Sequence, residues 1–328
     1  MMDKGFEKNK PYVLVPISEK PKKERVITHE QFQNLTGKLK LTLTVESEYL
    51  FVGSGTFEFN PNSRGREPDV WYTFYRRDGS VCIPGASIKG TIRSIVEAIS
   101  SSCVSQIARR KGEKIRDSPC RYKKLEDKLC LACRLFGTTG LRGRVSFTDC
   151  LPERDVRLEI VKIAELWEPK RPKPMYRRFY KSGRFQHLPN KKPEKNYRFV
   201  EAVVKGSVFQ TILYFENLTE AELGLIFYAF GWDLVNGNFK VIFTPKLGGA
   251  KPRCFGAVKF EPMTLRLLND SNWHTLLNPK VLEDRELLNF VKSCLRACRK
   301  SNLIDEKSWK ILANGLKPKD EPCPRGNY

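Results

Sequence analysis

Residues 83–95 read IPGASIKGTIRSI. Pro84 and Gly85 stop one element, and a helix over 87–100 then begins with Ser87, Lys89 and Gly90, with Arg93 one turn beyond Lys89. A helix N-terminus offers unpaired N–H groups and a positive dipole end, so it suits an anion. Small residues let a phosphate approach the backbone, and the two cations add charge. The plainer reading is a capped helix, with Ser87 as the N-cap and a solvated basic face.

The elements around this helix suggest the fold class. GKLKLTLTV (37–45) alternates apolar and polar residues with period two, as a half-buried strand does. GSGTFEFNPNSRGREPD (53–69) reads as a loop rich in Gly, Pro and Asn. After the helix, LFGTTGLRGRVSFTDC (135–150) is a glycine-rich loop leading into a strand at 144–149. VVKGSVFQTILYFEN (203–217) reads as a strand. LTEAELGLIFYAFGWD (218–233) reads as a helix with Thr219 as N-cap and Glu222 at the capping-box position. NFKVIFTPKL (238–247) is a further strand, and GGAKPRCFGAVKFEPM (248–263) a glycine-rich turn feeding a last one. Beyond 264 the chain reads as mostly helical, with Leu287, Leu288, Val291 and Leu295 at helical spacing. This order is the β-α-β-β-α-β pattern of an α+β, ferredoxin-like (RRM-like) fold, which leaves a sheet face or edge for single-stranded RNA.

Charge narrows the function. The 328 residues hold 59 Lys and Arg against 37 Asp and Glu, a formal net charge of +22. Such an excess implies a polyanionic partner, nucleic acid or an acidic membrane. The longest apolar run, LGLIFYAFGW (223–232), is about half the ~20 residues a membrane span needs. MMDKGFEKNK lacks the apolar core of a secretory signal, so the expected location is cytoplasmic.

In that setting ten cysteines point to metal or burial more than to disulfides. Cys103, Cys120, Cys130 and Cys133 fall within 31 residues, the last two as C-x2-C, a spacing that grips one tetrahedral zinc. Nine Lys and Arg and four acids lie between Cys103 and Cys130, too polar a segment for a core, so Zn2+ would take the place of apolar burial. Cys82, Cys150, Cys254, Cys294, Cys298 and Cys323 read as structural. Residues 167–197 carry ten Lys and Arg, two Glu, five Pro and six aromatics. This suits an extended hairpin whose cations meet phosphates and whose aromatics stack on bases, with Tyr176, Arg177, Arg178, Phe179 and Tyr180 at its tip or along one edge.

Taken in order, KPYVLVPI, GKLKLTLTVESEYLFVGSG, IPGASIKG, CLACRLFG with GRVSFTD, ENLTEAELG and LGGAKPRCFGAVKF resemble the RAMP superfamily, in its backbone-subunit form from type III CRISPR effector complexes. The resemblance covers roughly 11–263. It implies a palm (35–263) with a zinc-binding finger (101–136) and a thumb hairpin (150–200); the flanking stretches read as an N-terminal segment (1–34) and a C-terminal helical extension (264–328) with no counterpart in the family. It also implies that subunits stack along a CRISPR RNA, beside other subunits of the complex, and that the thumb wedges into the guide–target duplex. Ser87, Lys89, Gly90 and Arg93 would line the guide backbone, beside Gly248, Gly249, Lys251 and Arg253. Sequence would then be read by pairing with target RNA rather than by the protein.

Related subunits cleave target RNA with a loop aspartate and a divalent metal. The matching residue here is Asp69, with Mg2+ as its metal; Asp78, Glu58 and Glu67 are weaker matches. Two rivals remain. One is a CRISPR RNA-processing endoribonuclease, against which the scattered His29, His187 and His274 argue. The other is a zinc-containing RNA-binding scaffold outside CRISPR.

Overall fold

The structure, a computed structural model, describes residues 10–17, 20–30, 32–104, 120–166, 176–268 and 278–324. The chain is mixed α+β and mostly strands. In chain order the principal elements are β1 (Tyr12–Pro16), β2 (Leu35–Val45), β3 (Gly53–Phe59), β4 (Val70–Phe74), α1 (Gly85–Ile99), α2 (Leu131–Phe136) and β5 (Val145–Phe147). There follow β6 (Leu158–Ala164), β7 (Tyr176–Tyr180), β8 (Tyr197–Val204), β9 (Val208–Leu218), α3 (Glu220–Ala229), β10 (Val258–Leu268), β11 (Lys280–Glu283), α4 (Asp284–Lys300) and α5 (Glu306–Leu316).

The main sheet runs β5-β9-β2-β10-β11, antiparallel throughout. Alternation along β2 sends Leu39, Leu41, Leu43 and Val45 into a core shared with Ile88, Ile92, Ile95 and Ile99 of α1 and Leu223, Ile226 and Phe227 of α3. Thr219 caps α3, and its hydroxyl and the Glu222 carboxylate satisfy each other's backbone N–H groups, as the sequence predicts. Glu222 also takes the buried Arg144 guanidinium at 2.9 Å. α4 covers α3, and Val291, Cys294, Leu295 and Cys298 form its buried stripe.

A second sheet, β6-β8-β4-β3, stands beside the first. Its β6–β8 and β3–β4 pairs are antiparallel, and β8–β4 is parallel.

Four expectations change here. Residues 203–217 are not one strand: the chain turns at Lys205–Ser207 and passes from β8 in the second sheet to β9 in the main one. The 53–69 stretch is not all loop, because β3 pairs with β4 and leaves Phe57, Phe59, Val70 and Tyr72 exposed on one face. Of the two expected places for Tyr176–Tyr180, a hairpin tip or one edge, the structure shows a strand and not a tip. It is β7, half-buried and paired in register with β1, Tyr12 opposite Tyr180. Its partner is distant in sequence, which local composition cannot show. Finally, Cys254 and Cys323 form a disulfide across 69 residues, where two unpaired structural cysteines were expected. Among the described residues no helix is long and apolar enough to cross a membrane.

A cationic cleft beside a four-cysteine cluster

α1 begins at Gly85, ahead of the Ser87 start that its sequence implies. Pro84 occupies the N-cap position and Ser87 makes no side-chain cap. The cap is supplied from a distance: the Gly85 amide donates to Asp149 Oδ1 at 2.9 Å, and Arg77 grips the other oxygen. Both contacts, the amide's first, hold the Asp149 carboxyl below its usual range. A Cβ on Gly85 would sit 2.2 Å from the Phe147 carbonyl oxygen, so only glycine lets β5 close on the helix end. The protein's own carboxylate thus fills part of the anion site that the helix N-terminus offered.

One turn further on, the helix opens onto a cleft of about 500 Å3 between α1, β7 and the loop before β10. Ser87, Gly90, Arg93, Arg177, Arg178, Phe179, Tyr180, Gly248, Gly249 and Lys251 all line it. A Cβ at Gly90 would have no neighbour within 4 Å outside its own helix, which leaves the floor open. Gly248 holds a left-handed φ of 72°, and a Cβ there would lie 2.0 Å from the Phe51 carbonyl oxygen. Lys89 and Arg253 do not line the cleft. Lys89 is half-buried with Arg93 and Arg142 near it, and burial first, then those charges, pull its pKa down. Arg253 reaches the Glu165 carbonyl oxygen at 3.0 Å, at the end of β6.

Arg93 and Arg177 share one buried acid. Arg93 Nε donates to Glu97 at 2.7 Å, Arg177 donates to its other oxygen, and Arg177 also reaches Ser94 Oγ at 2.7 Å. Arg178 lies 4.3 Å over the Tyr12 ring. The sequence reading missed Lys246, which is buried and lines the same cleft. Burial, then the neighbouring Lys251 charge, lowers its pKa to about 7. Lys251 is lowered to about 8, by burial first and then by Arg177. Neither lysine has a carboxylate partner among the described residues. A buried Lys246 and a half-buried Lys251, neither facing a carboxylate, give this side of the cleft a chemistry that suits an anion. A signal for Lys246 was present: it directly precedes the Leu-Gly-Gly run.

The four cysteines expected to share a metal come together, all buried, with their sulfurs within 4.8 Å of one another. Cys103 Sγ lies 3.4 Å from Cys130, 3.5 Å from Cys133 and 3.9 Å from Cys120. Four thiolates at about 2.3 Å from a zinc ion stand about 3.8 Å apart, so the cluster fits a tetrahedral metal such as zinc. The Cys130 amide donates to Cys120 Sγ at 3.5 Å, and Arg93 Nη2 points at Cys133 Sγ at 3.6 Å. Arg93 Nη1 also donates to the Gly137 carbonyl at 2.9 Å, so one arginine ties cluster to cleft. Residues 105–119 of this insertion lie outside the described residues.

Asp69 is exposed and lines a different cleft, of about 520 Å3, with Glu165, Glu194, Lys195 and Arg198. Its Oδ1 accepts from the Val70 amide at 2.9 Å. Asp78 sits at φ 49° in the Arg77–Ser80 turn. His29 pairs with Glu216 and His187 with Glu48, and neither lines the cationic cleft. His274 lies outside the described residues.

Fold and cleft together define a basic α+β protein with a cation-lined cleft. The sequence matches the family model of the RAMP superfamily over residues 42–259, more than half the chain, and the protein belongs to that superfamily. Membership indicates a CRISPR-associated RNA-binding protein. No curated protein matches the chain.

Proposed function

We propose that this chain is the guide-binding backbone subunit of a type III CRISPR effector complex, and that the cationic cleft grips the ribose-phosphate strand of CRISPR RNA. The observation that carries this is the cleft itself. Residues from three distant stretches of sequence line one groove, with cations for phosphates and little besides backbone at Gly90, Gly248 and Gly249. Contacts of that kind neutralise charge without reading bases. The strand order β5-β9-β2-β10, with α1 and α3 packed on one core, supports a ferredoxin-like palm. The four-cysteine insertion supports a zinc finger, and β6 with β8 supports the hairpin of a thumb.

The test is to purify the chain with whatever it carries and sequence the bound RNA. Guide RNAs with CRISPR repeat and spacer sequence are the expected result. Unrelated RNA would favour a scaffold outside CRISPR, and specific cutting of repeat RNA by the lone chain would favour the processing enzyme. Cleavage is a separate question, since Asp69 lies in another cleft. Its test is the assembled complex with matched target RNA and Mg2+: unchanged products from Asp69→Ala would remove Asp69 as the catalyst.

A further inference from the structure

The loop that carries Gly248, Gly249 and Lys251 into the cleft is conformationally costly. Gly248, Ala250 and Cys254 have φ of 72°, 52° and 65°, and two of these are not glycine. Such backbone persists only where its surroundings hold it. At its far end the loop is held by the Cys254–Cys323 disulfide, both halves of which are buried.

Among the described residues, Cys323 belongs to a segment otherwise held by a few hydrogen bonds to residues 184–186. Residues 317–322 are all exposed, and Cys323 is the buried anchor. The segment's other described links are modest. Arg184 N–H donates to the Glu321 carbonyl and Cys323 N–H to the Arg184 carbonyl, each at 2.8 Å, Gln186 Nε2 donates to the Cys323 carbonyl at 3.5 Å, and an exposed pair joins Arg184 to Asp320. The same segment leaves α5 at Leu316, which itself lines the cleft. The disulfide therefore ties a lightly held segment to the strained loop of the anion site.

We propose that Cys254–Cys323 is a redox clamp on the cleft, an inference that rests on the RNA-binding reading above. Oxidised, it holds the Lys251 loop in the shape that meets phosphate. A dithiol reductant opens it by exchange. One reductant thiolate attacks a protein sulfur, the S–S bond breaks, and a mixed disulfide forms. The second reductant thiolate then resolves it. Two electrons and two protons reach the protein, which ends with two thiols, and the reductant ends as a disulfide. Segment 317–324 then lifts, and the loop relaxes.

The test uses the full chain with zinc supplied, in three forms: oxidised wild type, wild type with dithiothreitol, and Cys323→Ser, which keeps all four cluster cysteines. Alkylation with mass analysis reads the disulfide, hydrogen exchange reads 248–256 and 317–324, and a single-stranded RNA oligonucleotide reads affinity. We expect Cys254 and Cys323 to resist alkylation until reduction. Both opened forms should then exchange faster in both segments and bind RNA about tenfold more weakly. The clamp is overturned if the two thiols alkylate without reduction, if exchange at 248–256 is the same in all three forms, or if all three bind RNA equally well. If the oxidised chain binds no RNA while exchange still follows the disulfide, the RNA assignment fails and the clamp on the loop stands.

Discussion

Lys246 and Lys251 are the residues on which the cleft's behaviour turns. Their ordinary pKa is 10.5, and the fold lowers them to about 7 and about 8. Between those values and 10.5 the unfolded chain holds protons that the folded chain has released. These two groups therefore make the free protein more stable as pH rises through that window, and less stable below it. Binding has the opposite sign. A phosphate favours the charged lysines, so binding takes up protons and weakens as pH climbs above about 7 to 8. We expect RNA affinity, measured by fluorescence anisotropy at fixed salt, to fall several-fold over that range. In Lys246→Met it should be weaker at neutral pH and respond less to pH. The sequence reading reached Lys251 through its glycine-rich loop. It passed over Lys246, because burial of a lone lysine is a tertiary fact. A similar reason explains Lys89: its spacing from Arg93 is as the sequence implies, but which face of α1 meets the cleft is a tertiary fact.

At the scale of elements, α1 joins three parts of the molecule. Its N-terminus is held by Asp149, its middle forms the cleft wall, and Arg93 reaches the cysteine cluster. Asp149→Ala removes the cap and frees Arg77, and should lower stability by about 1 kcal/mol in denaturant melts, as loss of an N-cap does. The cysteine cluster should bind one zinc per chain by metal analysis. Chelation or Cys133→Ser should lower the melting temperature and weaken RNA binding together, because Arg93 bridges the two sites. A Cys133→Ser chain that keeps full zinc content and the same melting temperature would contradict this.

Local pattern announced some elements and hid others. The period-two strand of β2, the capping box of α3 and the C-x2-C turn each carry their signal within a few residues, and each is where its pattern placed it. β7 was hidden because its partner β1 lies more than a hundred residues upstream. Its Arg and Tyr side chains read as the tip or edge of a hairpin open to RNA, and the pairing half-buries them. β3 was hidden by glycine and polar neighbours, although Phe57 and Phe59 already alternate.

For the whole molecule, a net charge of +22 is spread over a fold whose cleft gathers glycine backbone and cations. Composition alone makes this partner class legible. What composition could not supply was convergence, because segments near residues 90, 178 and 249 meet only once β7 pairs with β1 and the Gly248–Arg253 loop folds against Phe51. The most direct test is the affinity of the purified chain for two unrelated single-stranded RNAs of equal length, titrated with salt. We predict nearly equal affinities that fall linearly, by about 0.7 log units per phosphate contact for each log unit of salt. Absence of binding, affinity indifferent to salt, or strong preference for one sequence would contradict the account.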